Sequence, residues 1–270
     1  MGDWYSGDVI ANGIRLHYHR TGGDKPPLVL SHGFSDAGLC WTRVAQALEA
    51  DYDVIMPDSR GHGLSEAPEG GYNAEGRAAD LAGLIQALGL KQPAIGGHSM
   101  GGQTTLYCSA LYPEVVGKAI LEDPAMRIDV GMATREEWRV RMEQMHAEIA
   151  ERRKLSRERL TELGRTQHPT WDEIEFAPWV DAKQRMSPRV TGAGPGSDLI
   201  SWQEALPKIQ CPTLLITSDP ELGGIVTEEA AALAKQLLPL IQIVRISGAG
   251  HNIRRERFDE FVGVVRAFLA

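Results

Sequence analysis

The sequence is poor in cysteine. Cys40, Cys108 and Cys211 are spread over 270 positions with no C-x-x-C pair. That argues against a disulfide framework and against a zinc site of the usual ligand spacing. No other metal-ligand cluster is apparent, and neither a metal nor a cofactor is expected. No run of about 18 apolar residues occurs, so no membrane span is expected. The opening Met1-Gly2-Asp3-Trp4 lacks the basic and apolar segments of a secretory leader, so a cytoplasmic protein with reduced thiols is the expectation. Basic side chains are in the minority, 28 against 36 acidic, for a net charge of −8. A protein that tracks nucleic-acid phosphates leans the other way, so no nucleic-acid partner is expected. The glycines at 61–63 and 97–102 are not followed by G-K-[ST], which excludes a phosphate loop. Repeats and low-complexity tracts are absent too, and 43% hydrophobic residues rule out overall disorder.

What remains is a pattern of short apolar runs alternating with amphipathic segments. Val9–Asn12 and Ile14–His19 flank Gly13 as a hairpin. Strand-like runs follow at 28–31, 54–56, 94–97 and 115–121, separated by helical spacing over 41–50, 75–90 and 100–112. Strand, loop and helix repeated in this way predict βαβ units and a parallel sheet with helices on both faces. The pattern resumes with strands at 213–217 and 241–246 and helices at 228–238 and 258–269. Between them no buried strand is predicted. A capping box at Thr134-Arg135-Glu136-Glu137 precedes a stripe of Trp138, Met142, Met145 and Ile149. Thr170-Trp171-Asp172-Glu173 repeats the capping signal before a second helical segment, interrupted at Pro178, and Gly192–Gly196 reads as a flexible return. The expected organisation is a core of residues 1–124 and 206–270 with a helical cap, residues 125–205, inserted before the last two strands. The stripe reads as a helix packed on the core and as a lid over a pocket, which are compatible. The aromatic residues Trp138, Trp171, Phe176, Trp179 and Trp202 serve either as packing or as pocket walls.

Gly97-His98-Ser99-Met100-Gly101 fits G-x-S-x-G and sits between an apolar strand and a helix, where a serine is lifted above the sheet edge on a strained turn. The helix start adds amide donors and a partial positive field, which suit a developing oxyanion. Ser99 is therefore the candidate nucleophile. His32-Gly33-Phe34-Ser35 follows an earlier strand, and the backbone N–H groups of Phe34 and Met100 are the candidate oxyanion hole. His32 reads as a loop-ordering residue.

These motifs, with Asp58-Ser59-Arg60-Gly61-His62-Gly63-Leu64-Ser65 and Gly248-Ala249-Gly250-His251, occur in an order that resembles the α/β-hydrolase fold superfamily over essentially the whole chain. The resemblance implies that His251 is the general base and that Asp58, Arg60 and His62 lock a turn. It offers two places for the acid that orients the histidine. One is Asp123, after the strand that follows the nucleophile helix; the other is the loop at 218–226, with Asp219 as the alternative acid. Glu221 and Glu122 are lesser candidates. The later loop departs from the family pattern and is about two residues longer, which favours Asp123.

The resulting expectation is a serine hydrolase that cleaves a small-molecule ester or lactone through an acyl-enzyme intermediate. Alternatives on the same scaffold are a carbon–carbon bond hydrolase, a cofactor-free perhydrolase and a non-catalytic ligand receptor. A serine at 99 disfavours dehalogenase and epoxide hydrolase chemistry, which resembles this fold but uses an aspartate. Nothing in the sequence fixes an oligomeric state.

Overall fold

A computed structural model describes residues 4–128, 135–192 and 198–270. In chain order the first elements are β1 (Tyr5–Ala11), β2 (Ile14–Arg20), β3 (Pro27–Ser31), α1 (Thr42–Leu48), β4 (Asp53–Pro57) and α2 (Ala74–Ala87). They continue with β5 (Ala94–His98), α3 (Met100–Leu111), β6 (Lys118–Glu122), α4 (Arg135–Arg152), α5 (Arg157–Gln167) and α6 (Phe176–Arg185). The chain closes with α7 (Trp202–Ala205), β7 (Thr213–Thr217), α8 (Glu228–Leu237), β8 (Gln242–Arg245), α9 (Ile253–Glu256) and α10 (Phe258–Leu269). The eight strands form one sheet in the order β1-β2-β4-β3-β5-β6-β7-β8. The hairpin β1–β2 is antiparallel and joins β4 antiparallel; every other pairing is parallel.

Strand alternation explains why the parallel strands read as unbroken apolar runs. Side chains of successive residues face opposite sides, and both sides are covered. Leu28, Leu30, Val54, Met56, Leu214 and Ile216 pack with α1 and α10 through Trp41, Leu48 and Phe261. Val29, Ile55, Leu121 and Leu215 face the other way, onto α2, α3 and α8 through Leu84, Leu106 and Ala234. The predicted mostly parallel sheet with helices on both faces is thus the observed architecture. Among the described residues, no helix is long and apolar enough to cross a membrane.

Helices α4 to α7 lie between β6 and β7, as the predicted insertion requires. Leu160, Trp171, Phe176, Trp179 and Val180 form a small core of their own. Met145 and Ile149 pack instead against Phe34, Tyr72, Met186 and Val190. Trp202 joins the main core and donates its indole N–H to Arg127 O at 3.1 Å. Three local readings need adjustment. Pro178 does not interrupt the second helical segment: it is the third residue of α6, within the first turn, where an amide has no intrahelical acceptor to lose. The cap before that segment is Asp172, which accepts from Ile174 N at 3.1 Å. Residues 113–115 form a 3-10 turn, so β6 starts later than the apolar pattern predicts. The Thr134 capping box, the Trp138 side chain and most of the Gly192–Gly196 return lie outside the described residues.

The closest backbone approach is where β5 turns into α3. A Cβ on Gly97 would lie 2.3 Å from the Gly101 carbonyl, and one on Gly101 2.1 Å from Ser31 O. Backbone cannot yield as a flexible side chain does. Gly97→Ala is therefore expected to cost at least about 2 kcal/mol of stability. An unchanged urea midpoint would show that the turn has slack.

Candidate active site

Three neighbouring strands end together and carry the predicted residues to one edge. His98, the last residue of β5, pairs in register with Glu122, the last of β6. Ser99 and Asp123 each follow by one residue. Ser99 N donates to Glu122 O at 2.9 Å, and Asp123 N to Ile216 O at 2.9 Å. Crevices at the carboxyl ends of parallel strands are where open α/β sheets bind ligands. Both residues have left-handed backbone, with φ of 53° at Ser99 and 37° at Asp123. Non-glycine residues adopt such angles only where surrounding structure compels them. Here the strand-to-helix turn compels Ser99, and Ser99 caps α3 with its hydroxyl free of any capping bond.

The Asp123 carboxylate is fully buried. It accepts from Ile225 N at 2.9 Å, from Val226 N at 3.0 Å and from His251 Nδ1 at 2.7 Å. The two amides come from the Gly223-Gly224-Ile225-Val226 loop, the segment whose extra length made the acid ambiguous. The Nδ1 contact leaves Nε2 as the imidazole's outward nitrogen. His251 is held from its main chain as well: His98 Nε2 donates to His251 O at 2.7 Å, and the two rings lie 4.5 Å apart.

The other candidate acids are engaged elsewhere. Asp219 accepts from Arg245 Nε at 2.9 Å and from Gly248 N at 2.7 Å, which ties the 219 turn to the glycine-rich loop ahead of His251. Glu221 is exposed and lies 3.7 Å from Arg245. Glu122 is buried and accepts from Arg254 N at 2.9 Å.

Histidines order the loop that carries Phe34. His32 Nε2 accepts from Ser59 N at 3.0 Å, which puts the ring proton on Nδ1, and Nδ1 donates to Gly33 O at 2.8 Å. Gly33 O also accepts from Asp36 N at 3.1 Å. Among the described residues every peptide is trans, so the Phe34 N–H at the other end of that peptide points the opposite way. His62 Nε2 donates to Phe34 O at 2.6 Å. The Asp58 carboxylate accepts from Gly38 N at 2.7 Å and Leu64 N at 2.8 Å, while Arg60 grips Asp80 through two bonds of 2.6 Å. Asp58, Arg60 and His62 therefore lock their turn, as the sequence predicts. The Met100 N–H belongs to the first turn of α3, where no intrahelical acceptor exists.

A cavity of about 290 Å³ opens onto Ser99, with Phe34, Met100, Met142, Met145 and Val190 on its walls. A cleft of about 330 Å³ beside Arg43, Trp171 and Phe258 does not reach Ser99. Met142 and Met145 of the predicted stripe line the serine cavity; among the described residues, Trp171, Phe176, Trp179 and Trp202 do not. Arg77, Gln103 and Tyr72 also line it. The sequence reading missed all three: Arg77 and Gln103 because a polar residue on an amphipathic helix normally marks its solvent side, and Tyr72 because it lies in the loop ahead of α2. Among the described residues, no group of three or more His, Cys, Asp or Glu could hold a metal.

Behind the site, three carboxylates and three cations are buried together. Arg254 reaches Asp36 at 3.0 Å and Glu122 at 3.4 Å; Arg255 reaches Asp36 at 3.2 Å and Glu175 at 3.0 Å. Lys183 donates to the Ser35 hydroxyl at 2.7 Å and lies 3.9 Å from Asp36. Burial brings the Lys183 ammonium down to about 8, while the surrounding cations hold Asp36 well below the carboxylate range despite its own burial.

The alpha/beta hydrolase family model matches residues 28–264. The N-formylmaleamate deformylase of Pseudomonas putida is 28% identical over 267 residues, covering 97% of this chain and 96% of that protein. The solved structure of the enol-lactonase from Burkholderia xenovorans LB400 is 25% identical, with a TM-score of 0.75 over 97% of this chain and 99% of its own. That of the N-formylmaleamic acid deformylase from Pseudomonas putida S16 shares the fold, with a TM-score of 0.80 at 23% identity over 97% of this chain and 100% of its own.

Burial lowers the pKa of His62 to about 3, that of His98 well below the imidazole value, and that of His32 below it. All three are neutral in the fold but take a proton near pH 6.5 once unfolded. The unfolded chain then binds more protons, so stability is complete above pH 6.5 and is lost progressively below it. Each histidine contributes up to about 1.4 kcal/mol per pH unit. Urea midpoints are expected to fall steadily from pH 6.5 to 5. His62→Asn should lower stability at pH 7 yet flatten that slope; an equally steep slope in the variant would refute the assignment.

Proposed function

The chain belongs to the alpha/beta hydrolase family, and on that premise we propose that it is a serine hydrolase of small acyl compounds, with Ser99, His251 and Asp123 as its catalytic triad. The observation that carries this reading is the 2.7 Å contact of His251 with a buried carboxylate, beside a serine held on a strained turn over a cavity.

In this reading the Ser99 hydroxyl attacks the substrate carbonyl while His251 Nε2 takes its proton. Asp123 fixes the tautomer with the proton on Nδ1 and stabilises the imidazolium as it forms. The Phe34 and Met100 amides receive the oxyanion, each worth roughly 3 kcal/mol of barrier by analogy with such donors. The neutral state of His98, 4.5 Å from His251, spares the imidazolium a like charge. His251 then protonates the leaving group, and water attacks the acyl-enzyme by the same route. Residues 125–205 act as the cap that closes one side of the cavity with the apolar side chains of Met142 and Met145.

The scissile bond is proposed to be carbon–nitrogen. One relative that matches almost end to end is a deformylase, so the ester or lactone expectation becomes the second reading, favoured by the likeness to an enol-lactonase. Both bonds suit one serine mechanism. They differ in the leaving group: a nitrogen anion is more basic than an enolate or other activated alkoxide and depends more on the proton His251 supplies.

Ser99→Ala is expected to abolish turnover, as measured with 4-nitrophenyl acetate; undiminished hydrolysis would remove the nucleophile. Asp123→Asn should lower kcat on the order of 10³-fold or more. Asp219→Asn should act chiefly on thermal stability, and the reverse ranking would move the acid to the later loop. Side-by-side kcat/KM values for N-formylmaleamate, an enol-lactone and 4-nitrophenyl acetate test the bond type. A preference for either oxygen ester over the formamide would restore the ester reading.

A further inference from the structure

One cation on the cavity walls has hydrogen-bond partners but, among the described residues, no ion pair. Arg77, on α2, lines the cavity together with Ser99. Its guanidinium donates to Gln103 Oε1 at 2.8 Å, to Thr104 Oγ1 at 3.3 Å and to the Tyr72 carbonyl. All three acceptors are neutral, and they use three of its five N–H donors. The nearby carboxylates are committed elsewhere. Asp80 is gripped by Arg60. Asp198 accepts from Ala74 N at 2.7 Å and from Gln103 Nε2 at 3.5 Å. Glu75 accepts from Leu199 N at 2.7 Å and Ile200 N at 3.1 Å. Among the described residues, no carboxylate forms an ion pair with Arg77.

Arg77 is half-buried, and a charge partly withdrawn from water is ordinarily paired, because desolvation without a partner is costly. Burial brings the Arg77 pKa down to about 10, although Asp198, Asp80 and Glu75 act to raise it from beyond ion-pair distance. It stays charged at neutral pH. Its contact residue Gln103 lies one helical turn beyond Ser99 on α3, roughly 6 Å along the axis. The facing walls, Met142, Met145 and Val190, offer no acceptor charge. An anion carried by the ligand would complete the arrangement, and a guanidinium with two spare donors suits a planar carboxylate.

We infer that Arg77 is a substrate-binding residue and that the acyl substrate bears a carboxylate a few bonds from its scissile carbonyl. Arg77 binds that carboxylate, with Gln103 holding the guanidinium in place, while the carbonyl sits at Ser99. The inference rests on the hydrolase reading above and specifies the substrate class of that same site.

The test compares two esters of equal chain length, 4-nitrophenyl hemisuccinate and 4-nitrophenyl butyrate. The purified protein should prefer the charged ester in kcat/KM. Arg77→Met should lower the hemisuccinate-to-butyrate ratio at least 10-fold, mainly through KM. Gln103→Glu, nearly isosteric, places a carboxylate on Arg77 and should lower the ratio in the same way. It serves even if Arg77→Met fails to fold. A loss shared equally by both esters would make Arg77 a structural residue and overturn the inference, as would a wild-type ratio near one. Thermal shifts separate this outcome from failure of the hydrolase reading. Succinate should raise the Tm of Ser99→Ala, inorganic phosphate should not, and adding Arg77→Met should remove the succinate effect. A succinate effect that depends on Arg77, in a protein that hydrolyses neither ester, keeps the carboxylate site and removes the serine chemistry. Equal protection by phosphate would overturn the carboxylate assignment.

Discussion

The Asp123 carboxylate is the point on which the site depends. A fully buried carboxylate is tolerable only when its lone pairs are filled, and here three donors from two other segments fill them. The end of β6 supplies the acid, the loop after β7 supplies two amides, and the loop after β8 supplies the imidazole. Each segment is irregular backbone at a sheet edge and would otherwise be free to wander. One anion sets their relative positions, and the strained turn at Ser99 is fixed alongside through its bond to Glu122.

Charge around this point is sorted by depth. His32, His62 and His98 sit close to the edge and stay neutral, because burial disfavours their cationic forms. They act through directed hydrogen bonds to Gly33, Phe34 and His251 carbonyls, shaping the peptides that face the cavity. Full charges lie behind them, in the cluster around Asp36, where Arg254 and Arg255 neutralise carboxylates from three parts of the chain. The imidazole of His251 thus sees one carboxylate, Asp123, among dipoles nearby and balanced ions farther off.

Much of this was legible because it is local. The turn at Ser99 is written in five consecutive residues, and the parallel strands in apolar runs bounded by glycine and proline. Asp123 was harder, since any carboxylate at a strand end looks alike. What distinguishes it from Asp219 is which amides and which histidine it meets, and Ile225, Val226 and His251 all lie more than 100 positions away along the chain. Arg77 escaped for a related reason. A polar residue on α2 suggests a solvent face until α3 and the insertion are laid over it. Pro178 misled in the other direction, because its cost depends on its position within a turn that only the boundary of α6 defines.

The cluster around Asp36 has an evolutionary consequence. Arg255, four positions after His251, is paired with Glu175 from the insertion and with Asp36 from the core. Stranding one partner of such a buried pair costs about 3–5 kcal/mol. A chimera that grafts another protein's insertion onto this sheet must therefore bring a carboxylate to the position of Glu175. Without it, Arg255 is left with Asp36 alone, a carboxylate it already shares with Arg254. The acid at 175 and the arginine at 255 are thereby coupled, so that exchanging one calls for exchanging the other.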